Sequence, residues 1–298
     1  MNHQKRLVLT RDHKEVIAYP DVNFPLEIWT GNMNEYLYRE LPTHYHDVFE
    51  FAMVIKGEVN YQINDQVINL KENEAIFINS NVIHTLRVDP EIKEAVLYTI
   101  GFPSSLLVND SSSTIFTKYI QPILYGSCKY MIIENKQILA LMNQIYGDSF
   151  KDYHELHFLS LLIRLWEVTY EELSKLQLFS NSTEIINEER VKKMMTHIQE
   201  HYDEKIGIDD LSLLTNISRN TCFRIFKKYL GKSPAEYILE YRINQAATLL
   251  LHSNKHMIDI AMECGFESPS YFGKIFKEKT GMTPLEYRKK RGNNDAVD

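Results

Sequence analysis

The sequence predicts an α+β multidomain chain, with an N-terminal β-barrel flanked by helices and an all-α C-terminal domain. Three observations predict this fold class. Short apolar runs separated by turn residues fill residues 20–100, apolar residues at helical spacing follow Pro103, and a helical segment that repeats itself lies beyond Glu188. At 298 residues the chain is long enough for two domains.

The N-terminal part, residues 1–103, is predicted to be a series of short strands. Its apolar runs include FEFAMVI, VNYQI, EAIFI and AVLYTIGF, and turn residues such as KGE, NDQ and KENE separate them. Many short strands at this spacing are typical of a β-sandwich or a β-barrel.

Residues 104–180 are predicted to be helical. The segments KQILALMNQIYGDSF and HELHFLSLLIRLWEVTYEELSKL carry apolar residues three and four positions apart. One stripe of the second segment fits either a domain core or a dimer seam between two copies of the chain, and contains Leu156, Leu159, Ile163, Trp166 and Tyr170. Residues 181–187 are predicted to be a linker, because the stretch FSNSTE is short and polar.

The C-terminal part, residues 188–292, contains one helical pattern twice. The stretch LSLLTNISRNTCFRIFKKYLGKSPAEYI at 211–238 corresponds to IAMECGFESPSYFGKIFKEKTGMTPLEYR at 260–288. Each copy predicts a short helix, a tight turn, a second helix and a left-handed glycine cap at Gly231 or Gly281. A further helix then starts with Ser-Pro-x-Glu or Thr-Pro-x-Glu, where the hydroxyl caps the helix and the glutamate completes a capping box.

A short helix, a tight turn and a second helix form the helix-turn-helix layout, here at about 208–230 and 257–280. Its second helix enters the major groove of double-stranded DNA. Cys222, Ile225 and Phe226 are predicted to face the core of the first copy. The side chains expected to face DNA are Arg219, Asn220, Thr221, Phe223, Arg224 and Lys227 in the first copy and Ser270, Tyr271, Lys274 and Lys277 in the second.

Charge and composition narrow the function classes. Residues 184–298 hold 18 basic and 17 acidic side chains, whereas the rest holds 15 and 23, and the basic residues cluster locally, as phosphate binding requires. No apolar run reaches the ~18 residues that a membrane span needs, and the N-terminus has no signal-peptide pattern. Three widely spaced cysteines indicate reduced thiols, so we expect a cytoplasmic protein without a membrane partner.

The stretch GFESPSYFGKIFKEKTGMTPLEYR resembles the characteristic motif of the AraC/XylS family of bacterial transcription regulators, and the resemblance covers residues 188–291. It implies two helix-turn-helix units joined by a long helix, here at about 234–252, and an N-terminal cupin-like sensor domain. The expected function is sequence-specific regulation of transcription in response to a small molecule. The expected partners are operator DNA, an effector such as a sugar or other polar metabolite, RNA polymerase and a second copy of the chain.

The stretch HYHDVFE, with a later histidine, predicts a polar cluster in the N-terminal domain. His44, His46 and Glu50 are all even-numbered, so one strand would point them to one face. With His84 they resemble the cupin metal motif, although Asn79 and Asn81 stand where that motif has proline and glycine. Tyr36 and Tyr38 are further candidates for the walls of an effector pocket.

Three interpretations of this cluster remain open at the sequence level. Three imidazoles and a carboxylate suit Fe, Mn, Ni or Zn, so a metal-dependent cupin enzyme joined to a DNA-binding module is one alternative. A regulator that needs no effector is another. We favour an effector pocket or a self-contained polar cluster without cofactor or metal, in a protein that is not an enzyme, because the context is that of a regulator.

Overall fold

The structure is a computed structural model that describes residues 8–9, 14–36, 39–176 and 182–292, with backbone alone at 182–185 and 290–292. The chain divides into an N-terminal unit, Met1–Glu188, and a C-terminal unit, Glu189–Asp298. The strands of the described residues all lie in the N-terminal unit, and the described part of the C-terminal unit is helical. This arrangement confirms the predicted α+β fold class.

Two antiparallel sheets make up most of the N-terminal unit. Their strands are β1 Glu27–Asn32, β2 Glu40–His44, β3 Val48–Lys56, β4 Glu58–Ile63, β5 Gln66–Lys71, β6 Ala75–Ile78, β7 His84–Arg87, β8 Val96–Pro103 and β9 Tyr130–Ile133. One sheet has the order β1-β8-β3-β6-β9 and the other has the order β2-β7-β4-β5. The sheets do not close into the predicted barrel, because apolar runs predict strands but not which strands pair at the edges.

The run FEFAMVI forms β3, which is buried on both of its faces. Ala52 and Val54 join the apolar cluster between the two sheets. Phe49, Phe51 and Met53 join a second cluster on the opposite face of the five-stranded sheet. Because side chains alternate along a strand, a strand buried on both faces has an almost continuous apolar run.

Helices cover that opposite face of the five-stranded sheet. The helices of this unit are α1 Ser104–Leu107, α2 Gln121–Leu124, α3 Lys136–Asp148 and α4 Glu155–Ser174, with a π-helical turn at Phe116–Ile120. The helical prediction for residues 104–180 was incomplete, because β9 pairs with β6 and extends the sheet. The four residues YMII are too few to show a periodicity.

The apolar stripe predicted on α4 divides between the core and the surface. Trp166 is buried and stacks on Phe49 with 4.3 Å between ring centroids. Leu156 and Ile163 are exposed by 72% and 51%. The two exposed residues are seven positions apart, so they lie on one outward face of the helix.

The C-terminal unit carries the repeat. The helices from this point of the chain are α5 Ser182–Glu200, α6 Ile208–Thr215, α7 Arg219–Leu230, α8 Pro234–His252, α9 Met257–Glu263, α10 Pro269–Thr280 and α11 Pro284–Gly292. The predicted linker at 181–187 therefore differs from the structure, which has helix from Ser182 onward. A polar stretch suggested a linker, but serine and threonine followed by glutamate also start helices.

Equivalent residues end and start the helices of the two copies. Gly231 and Gly281 have φ values of 69° and 74°, which confirms both left-handed caps. The Ser233 hydroxyl accepts a hydrogen bond from the Glu236 amide, whose side chain accepts one from the Ser233 amide. The second copy repeats this capping box with Thr283 and Glu286.

Candidate functional site

The three polar residues of HYHDVFE lie where the chain crosses from one sheet to the other. His44 ends β2 in the four-stranded sheet, His46 lies in the connection, and Glu50 lies within β3 of the five-stranded sheet. The prediction that one strand carries all three was therefore wrong, because alternation holds only within a continuous strand. The Asn81 amide donates a hydrogen bond of 2.7 Å to the His46 carbonyl and holds the connection in place.

The crossing nevertheless brings the four predicted side chains together between the sheets. Nε2 of His46 lies 3.0 Å from Oε2 of Glu50. The His84 ring centroid lies 4.3 Å from that of His44 and 5.0 Å from that of His46. All four residues are buried. We call His44, His46, Glu50 and His84 the histidine cluster.

Backbone carbonyls orient the three imidazoles. Nδ1 of His44 lies 2.7 Å from the Pro42 carbonyl oxygen, and Nδ1 of His84 lies 2.9 Å from that of Val82. Nδ1 of His46 lies 3.2 Å from the Val48 carbonyl oxygen. A carbonyl only accepts, so each Nδ1 carries a hydrogen, and the neutral rings of His44 and His84 keep a lone pair on Nε2.

Two buried polar atoms in this region have no hydrogen-bond partner among the described residues. They are Nε2 of His84 and the hydroxyl oxygen of Tyr61, a residue of β4. Burial, and then the electrostatic interaction with His46, lower the pKa of His84 to about 4, so its ring is neutral near pH 7. Burial and the Glu50 carboxylate raise the pKa of Tyr61 well above its usual value, which keeps its hydroxyl protonated.

Of these two atoms, Nε2 of His84 is a hydrogen-bond acceptor and the Tyr61 hydroxyl is a donor. Buried polar groups generally have partners, so a ligand hydroxyl or carboxyl that reaches both would complete their hydrogen bonding. The donor set also fits a divalent transition metal, because the ligating atoms of His44, His46 and His84 lie within 4.8 Å of one another. Nδ1 bonds to backbone carbonyls are typical of metal-ligating histidines.

Tyr61 and Glu15 also lie at the histidine cluster and were not predicted from the sequence. Tyr61 follows the inward alternation of Val59 and Ile63, so the period of β4 could have placed its hydroxyl between the sheets. Glu15 is buried with its Oε2 atom 3.9 Å from Nε2 of His44, yet it precedes the sheets and belongs to no motif. Of the two predicted tyrosines, Tyr36 packs edge-on against Trp29, and Tyr38 lies outside the described residues.

The first helix-turn-helix consists of α6 and α7. Cys222, Ile225 and Phe226 are buried, whereas Phe223 is 46% exposed. Four of the other side chains predicted to face DNA are also exposed, namely Arg219, Asn220, Arg224 and Lys227. The remaining one, Thr221, is half-buried. Arg219 forms an ion pair with Asp209 of α6.

The second helix-turn-helix consists of α9 and α10 and has the same organisation. Phe272, Ile275 and Phe276 are buried. All four predicted residues are exposed, namely Ser270, Tyr271, Lys274 and Lys277. Tyr287 packs edge-on against Phe276, as Tyr237 does against Phe226 in the first copy. Helix α8 joins the copies and, at ~1.5 Å per residue, its 19 residues span roughly 28 Å.

Comparisons with known proteins agree with both units. Residues 34–165 match the family model of the AraC-like ligand binding domain, and residues 211–290 match a helix-turn-helix domain model. The uncharacterized HTH-type transcriptional regulator YdeC of Bacillus subtilis (strain 168) is 28% identical over 294 residues, 96% of this chain and 99% of that protein. The melibiose operon regulatory protein of Escherichia coli (strain K12) is 24% identical over 263 residues, 84% of each chain.

Among solved structures, ToxT from Vibrio cholerae O395 matches 88% of this chain and 96% of its own, at 14% identity and a TM-score of 0.45. The two domains define a DNA-binding transcription regulator with a ligand-binding domain. The chain belongs to the AraC family. Within the described residues, the helices are all too short or too polar to cross a membrane.

Proposed function

We propose that this regulator binds specific operator sequences through both helix-turn-helix units and changes its DNA affinity when a small polar metabolite binds at the histidine cluster. The observation that carries DNA binding is the exposed, partly basic face that α7 and α10 each present above a buried aromatic core. The observation that supports a polar effector is the pair of buried atoms on His84 and Tyr61 that have no partner in the described part of the chain.

A sugar is the first class of effector to test. Its hydroxyl groups both donate and accept, so one molecule matches the acceptor on His84 and the donor on Tyr61. The melibiose operon regulatory protein is among the relatives, which agrees with this choice. Organic acids are the second class, since a carboxylate would accept from the Tyr61 hydroxyl.

The proposed mechanism has the helices α7 and α10 in successive major grooves. Arg224, Lys274 and their neighbours would read bases and phosphates, because arginine and lysine side chains near the start of a recognition helix reach base edges. A separation of roughly 28 Å along α8 is short of the 34–36 Å between successive groove faces, so DNA bending is expected. Regulation in the cytoplasm and contact with RNA polymerase are parts of the same proposal.

The proposal treats the protein as a dimer. Leu156 and Ile163 form an exposed apolar face on α4, in the unit that carries the ligand-binding domain. Exposed apolar patches on soluble domains often mark association surfaces. A dimer would place two DNA-binding units on two half-sites, which increases affinity through effective concentration.

A metal-dependent activity is the rival, since the three imidazoles fit a transition metal. We favour the metabolite, because Glu50, the remaining member of the cluster, is already paired with His46. Elemental analysis of protein purified without chelator separates the two, and about one Fe, Mn, Ni or Zn per chain would favour the rival.

The central experiment combines a screen with a binding assay on the full chain. A thermal-shift screen of sugars and organic acids would identify stabilising compounds, because a ligand that binds the folded state raises its stability. DNA selected from a random pool would supply the operator. We expect the stabilising compound to change operator affinity in fluorescence anisotropy. Equal affinity with and without every stabilising compound would contradict regulation by an effector.

A further inference from the structure

A cavity of about 870 Å³ lies in the N-terminal unit, beside β1, the edge strand of the five-stranded sheet. Residues before β1, the strand itself and the corner between α3 and α4 surround it. A volume of this size suits a small organic molecule and exceeds what a metal ion needs. Glu15, whose carboxylate lies near His44 of the histidine cluster, also lines this cavity.

Aromatic side chains form much of the cavity wall, and they are Phe24, Trp29, Tyr146, Phe150, Tyr153 and Phe158. Tyr146 is held in place, because its ring stacks on Tyr98 at 4.1 Å and its hydroxyl accepts a hydrogen bond of 3.0 Å from Thr30. Phe150 and Tyr153 remain 64% and 43% exposed beside it. Large aromatic rings around a cavity are typical of a ligand site.

The charged groups on the wall are mainly acidic. The carboxylates are those of Glu15, Asp21, Glu27 and Glu155, and Lys151 is the one basic side chain among the described residues of the wall. The Lys151 ammonium lies 2.8 Å from Asp148, which is outside the wall and offsets its charge. The described part of the wall therefore carries more acidic than basic side chains, an excess that favours cations over anions.

Glu15 gives the cavity a buried carboxylate. Its side chain is 97% buried or more, and it faces the histidine cluster through the contact of 3.9 Å with His44. On β1, the neighbouring wall residues Glu27 and Trp29 point to the same face of the sheet, because they are two positions apart. A carboxylate and an indole thus lie side by side at the edge of the sheet.

We propose that this cavity is a second ligand site and that it binds an organic cation, an amine or quaternary ammonium with an aromatic or aliphatic body. Aromatic faces attract cations through their quadrupole, and carboxylates complement the same charge. The apolar part of the wall accommodates the body of the molecule. The site is distinct from the proposed metabolite site at the histidine cluster and touches it through Glu15.

The test uses three probes of similar shape with the full chain: 2-phenylethylamine, its neutral analogue 2-phenylethanol, and the anion phenylacetate. We expect calorimetry to show that the amine binds roughly tenfold or more tightly than the alcohol, and that phenylacetate binds most weakly. Higher salt should weaken binding of the amine and leave binding of the neutral alcohol unchanged. Equal affinities for amine and alcohol, or no amine binding at millimolar concentration, would overturn the proposal.

Variants locate the site. Glu27→Gln combined with Glu155→Gln should lower amine affinity by roughly tenfold and leave binding of the alcohol unchanged. The matched control is Glu171→Gln, an exposed glutamate on the same helix as Glu155 but outside the cavity wall. An equal loss in this control would overturn the assignment, because it would show an effect of net charge alone.

A third variant separates the cavity from the histidine cluster. Tyr61→Phe removes a hydroxyl that has no partner among the described residues, and it should leave amine affinity unchanged within about twofold, since Tyr61 does not line the cavity. A tenfold loss of amine affinity in Tyr61→Phe would place the amine at the histidine cluster and overturn the second site. Failure of the metabolite screen would leave the amine result unaffected.

Discussion

Nε2 of His46 lies 3.0 Å from Oε2 of Glu50, and both side chains are buried at the point where the chain passes between the two sheets. Nδ1 of His46 donates to the Val48 carbonyl, so the ring is fixed on both sides. One proton must lie between the imidazole and the carboxylate, because neither atom can donate to the other without it. A ligand that competed for that proton would break the pair.

Replacing Glu50 by glutamine tests this relationship. Glu50→Gln keeps the shape but removes the charge, so we expect the effector concentration for half response to rise roughly tenfold, while operator affinity without effector is unchanged. Fluorescence anisotropy with and without effector measures both quantities. The matched control is Glu40→Gln on β2, whose carboxylate pairs with Arg87 at the surface. An unchanged effector response in Glu50→Gln would show that the cluster does not bind the effector.

Removing the Tyr61 hydroxyl should have opposite effects on stability and on binding. The hydroxyl is buried without a partner among the described residues, so Tyr61→Phe should stabilise the effector-free protein slightly, by up to ~1 kcal/mol. The same change should lower the affinity for the effector roughly tenfold, because it removes a buried hydrogen-bond donor. Denaturant unfolding and calorimetry measure these two quantities. Destabilisation by more than about 1 kcal/mol would indicate that the hydroxyl already has a partner.

The histidine cluster also shows how far the sequence could predict a site. Spacing within HYHDVFE and the motif with His84 predicted the four members of the cluster, although not the crossing between sheets that brings them together. Strand pairing and crossing depend on contacts between distant residues, which periodicity in one segment does not report. The positions of Tyr61 and Glu15 beside the cluster were not predicted, because they too depend on contacts between distant residues.

The helical unit was easier to predict, because its determinants are local. Glycine caps and capping boxes act within four residues, so Gly231, Gly281 and the two Pro-x-Glu starts were visible in the sequence. Burial along α4 of the N-terminal unit was harder to predict, because it depends on tertiary structure. Trp166 packs on the sheet whereas Ile163 of the same stripe is exposed, since only the sheet decides which side of α4 is covered.

The neutral form of His84 should make the N-terminal unit less stable in acid. Its pKa is lowered to about 4 in the folded protein, below the ordinary value of 6.5, so the unfolded chain binds the proton more readily. The contribution of neutral His84 to the free energy of unfolding is complete above pH 6.5. About 3 kcal/mol of that free energy is lost as the pH falls towards 4.

The measurement compares the native chain with His84→Gln in urea at pH 7 and pH 4.5, with chelator present. Both tryptophans, Trp29 and Trp166, lie in the N-terminal unit, so their fluorescence reports the unfolding of that unit. The native chain should lose more stability between the two pH values than the variant does. Equal losses would show that His84 accepts its proton in the folded state at its ordinary pKa.

The exposed face of α4 predicts a dimer. The double variant Leu156→Glu, Ile163→Glu should be a monomer. Dimerisation would bury each new charge against an apolar partner surface, at a cost of several kcal/mol. Sedimentation velocity at micromolar concentration measures the change. Leu176→Glu is the control, since Leu176 is also exposed but lies beyond the end of α4. A native chain that sediments as a monomer with and without effector would contradict the dimer.

Two neighbouring cations on α7 should differ in what they recognise. Arg224 and Lys227 are exposed and three positions apart, with Arg224 nearer the N-terminus of the helix, the end that approaches base edges. Arg224→Ala should cost ~1–3 kcal/mol on the operator and relax the preference at one base pair, because arginine pairs with guanine through two hydrogen bonds. Lys227→Ala should weaken binding to all DNA sequences alike. It should also reduce the salt dependence of that binding by about one released counterion, as loss of a phosphate contact does. Anisotropy against the operator and a set of single-base variants, at several salt concentrations, distinguishes the two effects. If Arg224→Ala leaves the base preferences intact and only shifts the salt dependence, then Arg224 contacts phosphate and another residue of α7 reads the base.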